Sequence, residues 1–237
     1  MLIYVTNLFG INFANINDLS PSPERRKRRE RMNAEVIAMS KNLIDDITGI
    51  ILVGGKSRRM GQDKAFLKVG GIPIFERVLA LFKYNFEHIV LVGNREERFA
   101  GYNLPFVSDI FPGSALGGLY TGLYNAATEY VFVSSCDLPF PSMEVLRYLC
   151  SLRNSYDAVV PSTANGFEPL FALYSKTCLK PIKALLESGN FCAYAYYPQI
   201  NVRYVTFEEL AQFDRDGRAF LNVNTPEDFA GIEGRDL

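Results

Sequence analysis

The sequence predicts an α/β fold, a mostly parallel sheet covered by helices on both faces, and three observations lead there. From Gly49 to the C-terminus, short apolar runs rich in β-branched and aromatic residues alternate with segments of helical period. Several of the runs are continuously apolar, as strands buried on both faces are. Chemically loaded residues follow several of the runs, at the strand ends where such sheets collect ligands. The chain has 237 residues and is 48% hydrophobic, enough for one large domain with a sizeable core.

The elements follow in order. "GIILV" ends at Gly54 and reads as a buried strand. "PIFERVLALF" places Pro73 at a first helical position, with Ile74, Val78, Leu79 and Phe82 on one face. "HIVLVGN" and "LPFVSD" read as the next two strands, and "GGLYTGLYNAATE" as a helix whose glycines argue against it. "YVFVSSCD" is a strand, and "SMEVLRYLCSL" a helix capped by Ser142. "DAVVP" and "PLFALYS" are strands, "PIKALLES" a helix closed by Gly189, and "VRYVTF" a late strand. In "NVNTPEDFAGI", Thr225 suits an N-cap and Pro226 the first helical position.

Residues 1–46 differ in kind. An apolar start precedes "SPSPERRKRRERMNAEV", a proline-flanked basic run. It reads as a solvated extension, or as sequence ahead of a true start at Met32 or Met39, rather than as a tether to nucleic acid or membrane. The domain proper is expected over 47–237.

Composition narrows the function. A net charge of −1 offers no global field for nucleic acid or an anionic membrane. No apolar run approaches the roughly 20 residues that span a bilayer. One histidine, His88, expected at the surface, and four scattered cysteines argue against a zinc site or a Ser/His/Asp triad. A reducing, cytoplasmic setting is expected.

The stretch "GIILVGGKSRRMGQDKAFLKVGG" is the exception to this neutrality. Gly54 and Gly55 allow a sharp turn whose N–H groups can cradle phosphate oxygens. Arg58 offers a planar fork and Lys64 a compact point charge. The spacing is neither G-x-x-x-x-G-K-[ST] nor G-x-G-x-x-G, so neither a P-loop NTPase nor a Rossmann dehydrogenase is supported.

"LVGGKSRRMGQDKAFL" resembles the signature L-A-G-G-x-S-x-R-M-G-x-D-K of nucleotidyltransferases with a glycosyltransferase-A-like Rossmannoid fold, and most of all the molybdenum cofactor guanylyltransferases. Val53 stands where alanine is usual. The likeness continues through "SDIFPGSALGGLYTGL", "SSCDLPF", "EPLFALY" and "NVNTPED". It implies a single Rossmann-like three-layer α/β/α domain of the nucleotide-diphospho-sugar transferase type. By the resemblance, Leu52, Val53 and Gly54 contact the nucleotide, Lys64 its phosphates, and Asp109 the guanine nucleotide, while Asp137 ligates Mg2+. Asn222 and Asn224 are implied at the substrate or metal shell; Glu168, a loop glutamate before a strand, is either solvated or a further member of that shell that contacts the second substrate. Some relatives carry asparagine where Val92 stands, a contact that Gly93 or Asn94 would have to supply.

The implied reaction is transfer of GMP from GTP to the terminal phosphate of molybdenum-molybdopterin, releasing pyrophosphate. It needs charge neutralisation, alignment and a divalent ion. Arg58, Lys64 and Asp137 are the expected catalytic set. The attacking phosphate is already ionised, so no general base is required. A protein that delivers the cofactor or inserts it is an implied partner. Transfer from CTP, a sugar or polyol phosphate acceptor, and a non-catalytic GTP-binding module remain as alternatives.

Overall fold

The computed structural model describes residues 43–54, 64–223, 228, 231 and 232. Strand β1 (Ile44–Leu52) is buried from Ile47 onward. It starts ahead of "GIILV", so the boundary expected at 46/47 falls inside the strand. A 3-10 turn (Lys64–Phe66) leads into a small hairpin, β2 (Lys68–Val69) and β3 (Ile72–Pro73). Gly70 and Gly71 make its two-residue turn with φ of 58° and 80°, the left-handed pair that tight hairpins require. Helix α1 (Ile74–Asn85) follows at once, and Pro73 sits at its N-cap rather than at the first helical position.

Next come β4 (Phe86–Gly93), β5 (Phe106–Ser108) and helix α2 (Ala115–Asn125). The Ser114 hydroxyl caps α2 by accepting from Gly117 N at 3.0 Å, and the helix stops before "AATE". Strand β6 (Tyr130–Ser135) precedes helix α3 (Met143–Ser151), which Ser142 caps through Val145 N as its sequence indicates. Strand β7 (Ala158–Thr163), the two-residue β8 (Gly166–Phe167) and β9 (Phe171–Ser175) form the next group. Helix α4 (Leu179–Glu187) ends ahead of Gly189, which has φ 78°. Strand β10 (Val202–Thr206) and the single turn α5 (Phe207–Leu210) follow. The cap expected at Thr225 and Pro226 lies outside the described residues.

The sheet order is β10-β7-β9-β6-β1-β4-β5, with β8 added to β7. β1 pairs parallel with β6, β4 with β5, and β7 with β10. β9 runs against both β6 and β7, a direction its apolar run does not encode.

Alternation across the strands separates the two helical layers. Ile50, Leu52, Val131 and Val133 face α2 and α4 in one core with Leu119, Leu123 and Ile182. On the other face, Phe132 packs edge-on against Phe82 of α1 and Phe171 of β9. The glycines of α2 have a packing reason: a Cβ at Gly122 would sit 2.8 Å from Ile50 Cγ2, and one at Gly117 only 1.9 Å from the Phe111 carbonyl oxygen. The helix therefore lies directly on β1 and on the loop that leads into it.

Gly117→Ala should destabilise the protein by about 1–3 kcal/mol or more, since backbone has to move. Gly101→Ala meets nothing within 4 Å and should stay within about 0.5 kcal/mol of the parent. Urea denaturation of both variants checks the contrast; equal effects would contradict this packing.

Candidate active site

The carboxyl edge of the sheet gathers most of the described residues singled out from sequence. In the β1–β6 ladder Leu52 pairs with Ser135, so Val53–Gly54 and Cys136–Asp137 leave adjacent strands side by side. On the other flank Val53 N donates to Val92 O at 2.8 Å, and a Cβ at Gly93 would meet Gly54 N at 3.2 Å. Asp109 N donates to Gly93 O at 3.1 Å, closing the row from β5 across to β6. With strands about 4.8 Å apart, three spacings set Asp109 and Asp137 roughly 14 Å apart. A nucleotide can lie along such a row.

The contributions differ in kind. Leu52 is 6% exposed and packs on α2 beside Gly118, so only its main chain can face a ligand. Val92 is buried in the same core, which leaves Gly93 and the exposed Asn94 at the edge. Gly54 is exposed, and Lys64 is half-buried at the head of its 3-10 turn. Asp109 Oδ1 accepts from Phe111 N at 3.1 Å and lies 3.0 Å from Thr121 Oγ1. Burial pushes the Asp109 carboxyl above its ordinary value, and those two hydrogen bonds oppose the shift. Arg58 and Asn224 lie outside the described residues. So does Arg59, on which the arginine of the quoted signature falls.

Asp137 occupies the loop after β6, half-buried, and its Oδ1 is buried with no hydrogen-bond partner among the described residues. An unsatisfied buried carboxylate oxygen costs stability and calls for a cation or donor. Asp137 O accepts from Val223 N at 3.2 Å, which brings the Asn222 segment alongside. Asn222 Nδ2 reaches Phe220 O at 3.4 Å.

Glu168 approaches from the far side, through a fork in the sheet. β7 pairs with β9 at Ala158 and Val159, and then with β8 at Ser162 and Thr163. Pro161, which has no N–H to give, stands between the two ladders, and its carbonyl accepts from Glu168 N at 3.0 Å. Thr163 Oγ1 donates to Glu168 Oε1 at 3.2 Å. Burial raises the Glu168 carboxyl, the Thr163 hydrogen bond opposes this, and the charge of Asp137 adds to the rise. Two carboxylates thus sense each other across β9.

This donor set fits a hard divalent cation. Mg2+ uses one or two carboxylates together with phosphate oxygens and water, and Asp137 with Glu168 supplies that number. No cluster of three or more His, Cys, Asp or Glu ligands forms among the described residues, as a closed zinc site would need. Cys150 and Cys178 are buried thiols, and burial pushes Cys178 up to about 12. His88 is exposed, as expected. Two clefts of about 370 and 470 Å3 flank α4, and none of these residues lines either one.

Gly54 and Asp137 follow adjacent strands of a mostly parallel sheet between two helical layers, the frame of an α/β protein whose loops gather at one edge. Residues 49–199 match the MobA-like NTP transferase domain, and the chain belongs to that family. It is 38% identical over 182 residues to a protein of Pelotomaculum thermopropionicum named a probable molybdenum cofactor guanylyltransferase, covering 76% of this chain and 89% of the relative. It is 36% identical over 193 residues to the molybdenum cofactor guanylyltransferase of Desulfosudis oleivorans, covering 80% and 96%. The crystal structure of molybdopterin-guanine dinucleotide biosynthesis protein A from Archaeoglobus fulgidus superposes with a TM-score of 0.71 at 26% identity, over 79% of this chain and 97% of that one.

The Glu168 environment makes a pH prediction. Its folded carboxyl holds a proton more tightly than the unfolded chain, so stability falls as pH rises from about 4.3 through the raised value. Glu168→Gln should raise Tm at neutral pH and lose that advantage below about pH 4.3. A melting series across pH checks this; the same gain at both ends would contradict a desolvated carboxylate.

Proposed function

We propose that this protein transfers GMP from GTP to the terminal phosphate of molybdenum-molybdopterin, forming the guanine dinucleotide cofactor and pyrophosphate. The observation that carries the reading is the β1–β6 register, which sets Gly54 beside the Asp137 loop, where the buried carboxylate Oδ1 has no hydrogen-bond partner among the described residues. Family membership and the names of the relatives support guanylyl transfer in particular.

Each residue then has a physical task. Main-chain groups of Leu52, Val53 and Gly54 line the nucleotide, and Asp109 stands at its guanine end. Lys64 and the arginine pair Arg58 and Arg59 neutralise the triphosphate as negative charge builds on the leaving pyrophosphate. Asp137 holds the divalent ion, with Glu168, Asn222 and Asn224 around the ion or the acceptor. Mg2+ bound there supplies positive charge to the phosphate oxygens. The acceptor phosphate arrives ionised, and alignment at the α-phosphorus is what remains for the protein to provide.

The setting we infer is the cytoplasm, with delivery or insertion proteins for the molybdenum cofactor as partners. No helix among the described residues is long and apolar enough to cross a membrane. The catalytic unit starts with β1 at Ile44 rather than at residue 47, and deletion of residues 1–38 should leave turnover unchanged.

The test is pyrophosphate release with Mg2+, molybdenum-molybdopterin, and GTP, CTP or ATP in parallel. Release with GTP alone, with a guanine dinucleotide product, is expected. Preference for CTP would assign the cytidylyl reaction instead. Tight GTP binding with no release would indicate a non-catalytic module. Asp137→Ala should lower turnover about a thousandfold while the fold survives, and unchanged turnover would refute its metal role.

A further inference from the structure

The two arms of the site reach it from different parts of the chain. Lys64 comes with the segment that runs through Leu67 and the β2–β3 hairpin into α1. Asp137 comes with the loop that follows β6. Each arm leaves the sheet from its own strand, β1 or β6. Something has to fix their separation, because misplacement of about an ångström can cost a hundredfold in rate.

Arg77 of α1 spans the gap. Its Nη2 donates to Val69 O at 2.6 Å, on the arm that carries Lys64. Its Nη1 donates to Pro139 O at 3.3 Å, two residues past Asp137. The guanidinium also lies over the Phe140 ring, 5.9 Å from its centroid, and Arg218 lies over the same ring at 4.2 Å. Beneath them Val69, Ile74, Val223 and Ile232 form a small separate core with Phe140 packed against it. Ile74 N donates to Leu67 O, and Val223 N donates to Asp137 O. Hairpin, helix, metal loop and the Asn222 segment therefore converge on one cluster, and Arg77 touches two of these partners by hydrogen bond.

Stability alone is a poor account of such a placement. Burial lowers the Arg77 pKa, and its Nε is buried without an acceptor among the described residues. A buried unmet donor is a cost, and an apolar side chain would fill the space without it. The planar fork is what an apolar residue, or a lysine, cannot provide.

We infer that Arg77 is a positioning residue, which bridges the phosphate-binding arm at Val69 to the metal-binding loop at Pro139 and so sets Asp137 for its cation. The inference rests on the metal role proposed for Asp137. Its effect is on the affinity for the divalent ion, which can be read without turnover.

The test measures Mn2+ binding to the full-length protein with GTP present, by the electron paramagnetic resonance signal of unbound Mn2+. Arg77→Met keeps the packing stem and should weaken Mn2+ binding about tenfold, the scale for an outer-shell partner of a metal ligand. Arg77→Lys keeps the charge without the fork and should not restore it. Arg147→Met is the matched control: Arg147 Nε donates to Asn85 Oδ1 at 2.7 Å and its guanidinium lies over Tyr84, bracing α1 to α3 away from the site. That variant should lose Tm and keep its Mn2+ affinity. Unchanged affinity in Arg77→Met, an equal loss in Arg147→Met, or full rescue by Arg77→Lys would overturn the proposal. If Asp137→Asn also binds Mn2+ as the parent does, the metal reading itself fails, and the role of Arg77 falls with it.

Discussion

Leu52 opposite Ser135 in a parallel ladder is the constraint on which the site depends. Parallel strands end at the same edge, so Gly54 after β1 and the carboxylate after β6 emerge together although some eighty residues separate them. Sliding the register by one residue would invert every side chain of β1, exchanging the Ile50 and Leu52 face with that of Gly49 and Ile51. The two cores forbid that slip. Gly49 has Phe82 and Phe86 within 3 Å of where a Cβ would stand, and Ile50 lies against Gly122. Packing on both faces thus locks the pairing that assembles the chemistry.

In the function proposed above, the edge around that fixed point meets anions and a cation. Asp109 and Glu168 are half-buried carboxylates there, and Asp137 Oδ1 is buried with no hydrogen-bond partner among the described residues. Pro161 stands between the β7–β9 and β7–β8 ladders, at the fork where its carbonyl accepts from Glu168 N. The antiparallel β9 matters for the same reason, because its start rather than its end lies at the active edge and brings residue 168 there.

Much of this was legible in the sequence. Apolar runs gave the strands that pair at the centre, Ser142 marked a helix start, and Gly189 followed a helix end. The glycine loop and Asp137 stood out because their residue types suit phosphate and metal. The direction of β9 was not legible, since a fully buried strand is apolar whichever way it runs. The first turns of β1 were hidden by Asp45 and Asp46, which look like loop. The glycines of α2 argued against a helix until their contacts with Ile50, Leu52 and Phe111 explained them. Arg77 was invisible for a different reason: an arginine in an amphipathic helix reads as a solvated charge, and only the fold brings Val69 and Pro139 within its reach.

The most direct measurement is a crystal structure of the protein with GTP and Mn2+, using anomalous scattering to place the metal. A metal peak bonded to Asp137 and to phosphate oxygens of a nucleotide whose triphosphate lies over Gly54, with its guanine toward Asp109, is expected. A metal held elsewhere on the sheet edge, with Asp137 Oδ1 still unpartnered, would contradict it.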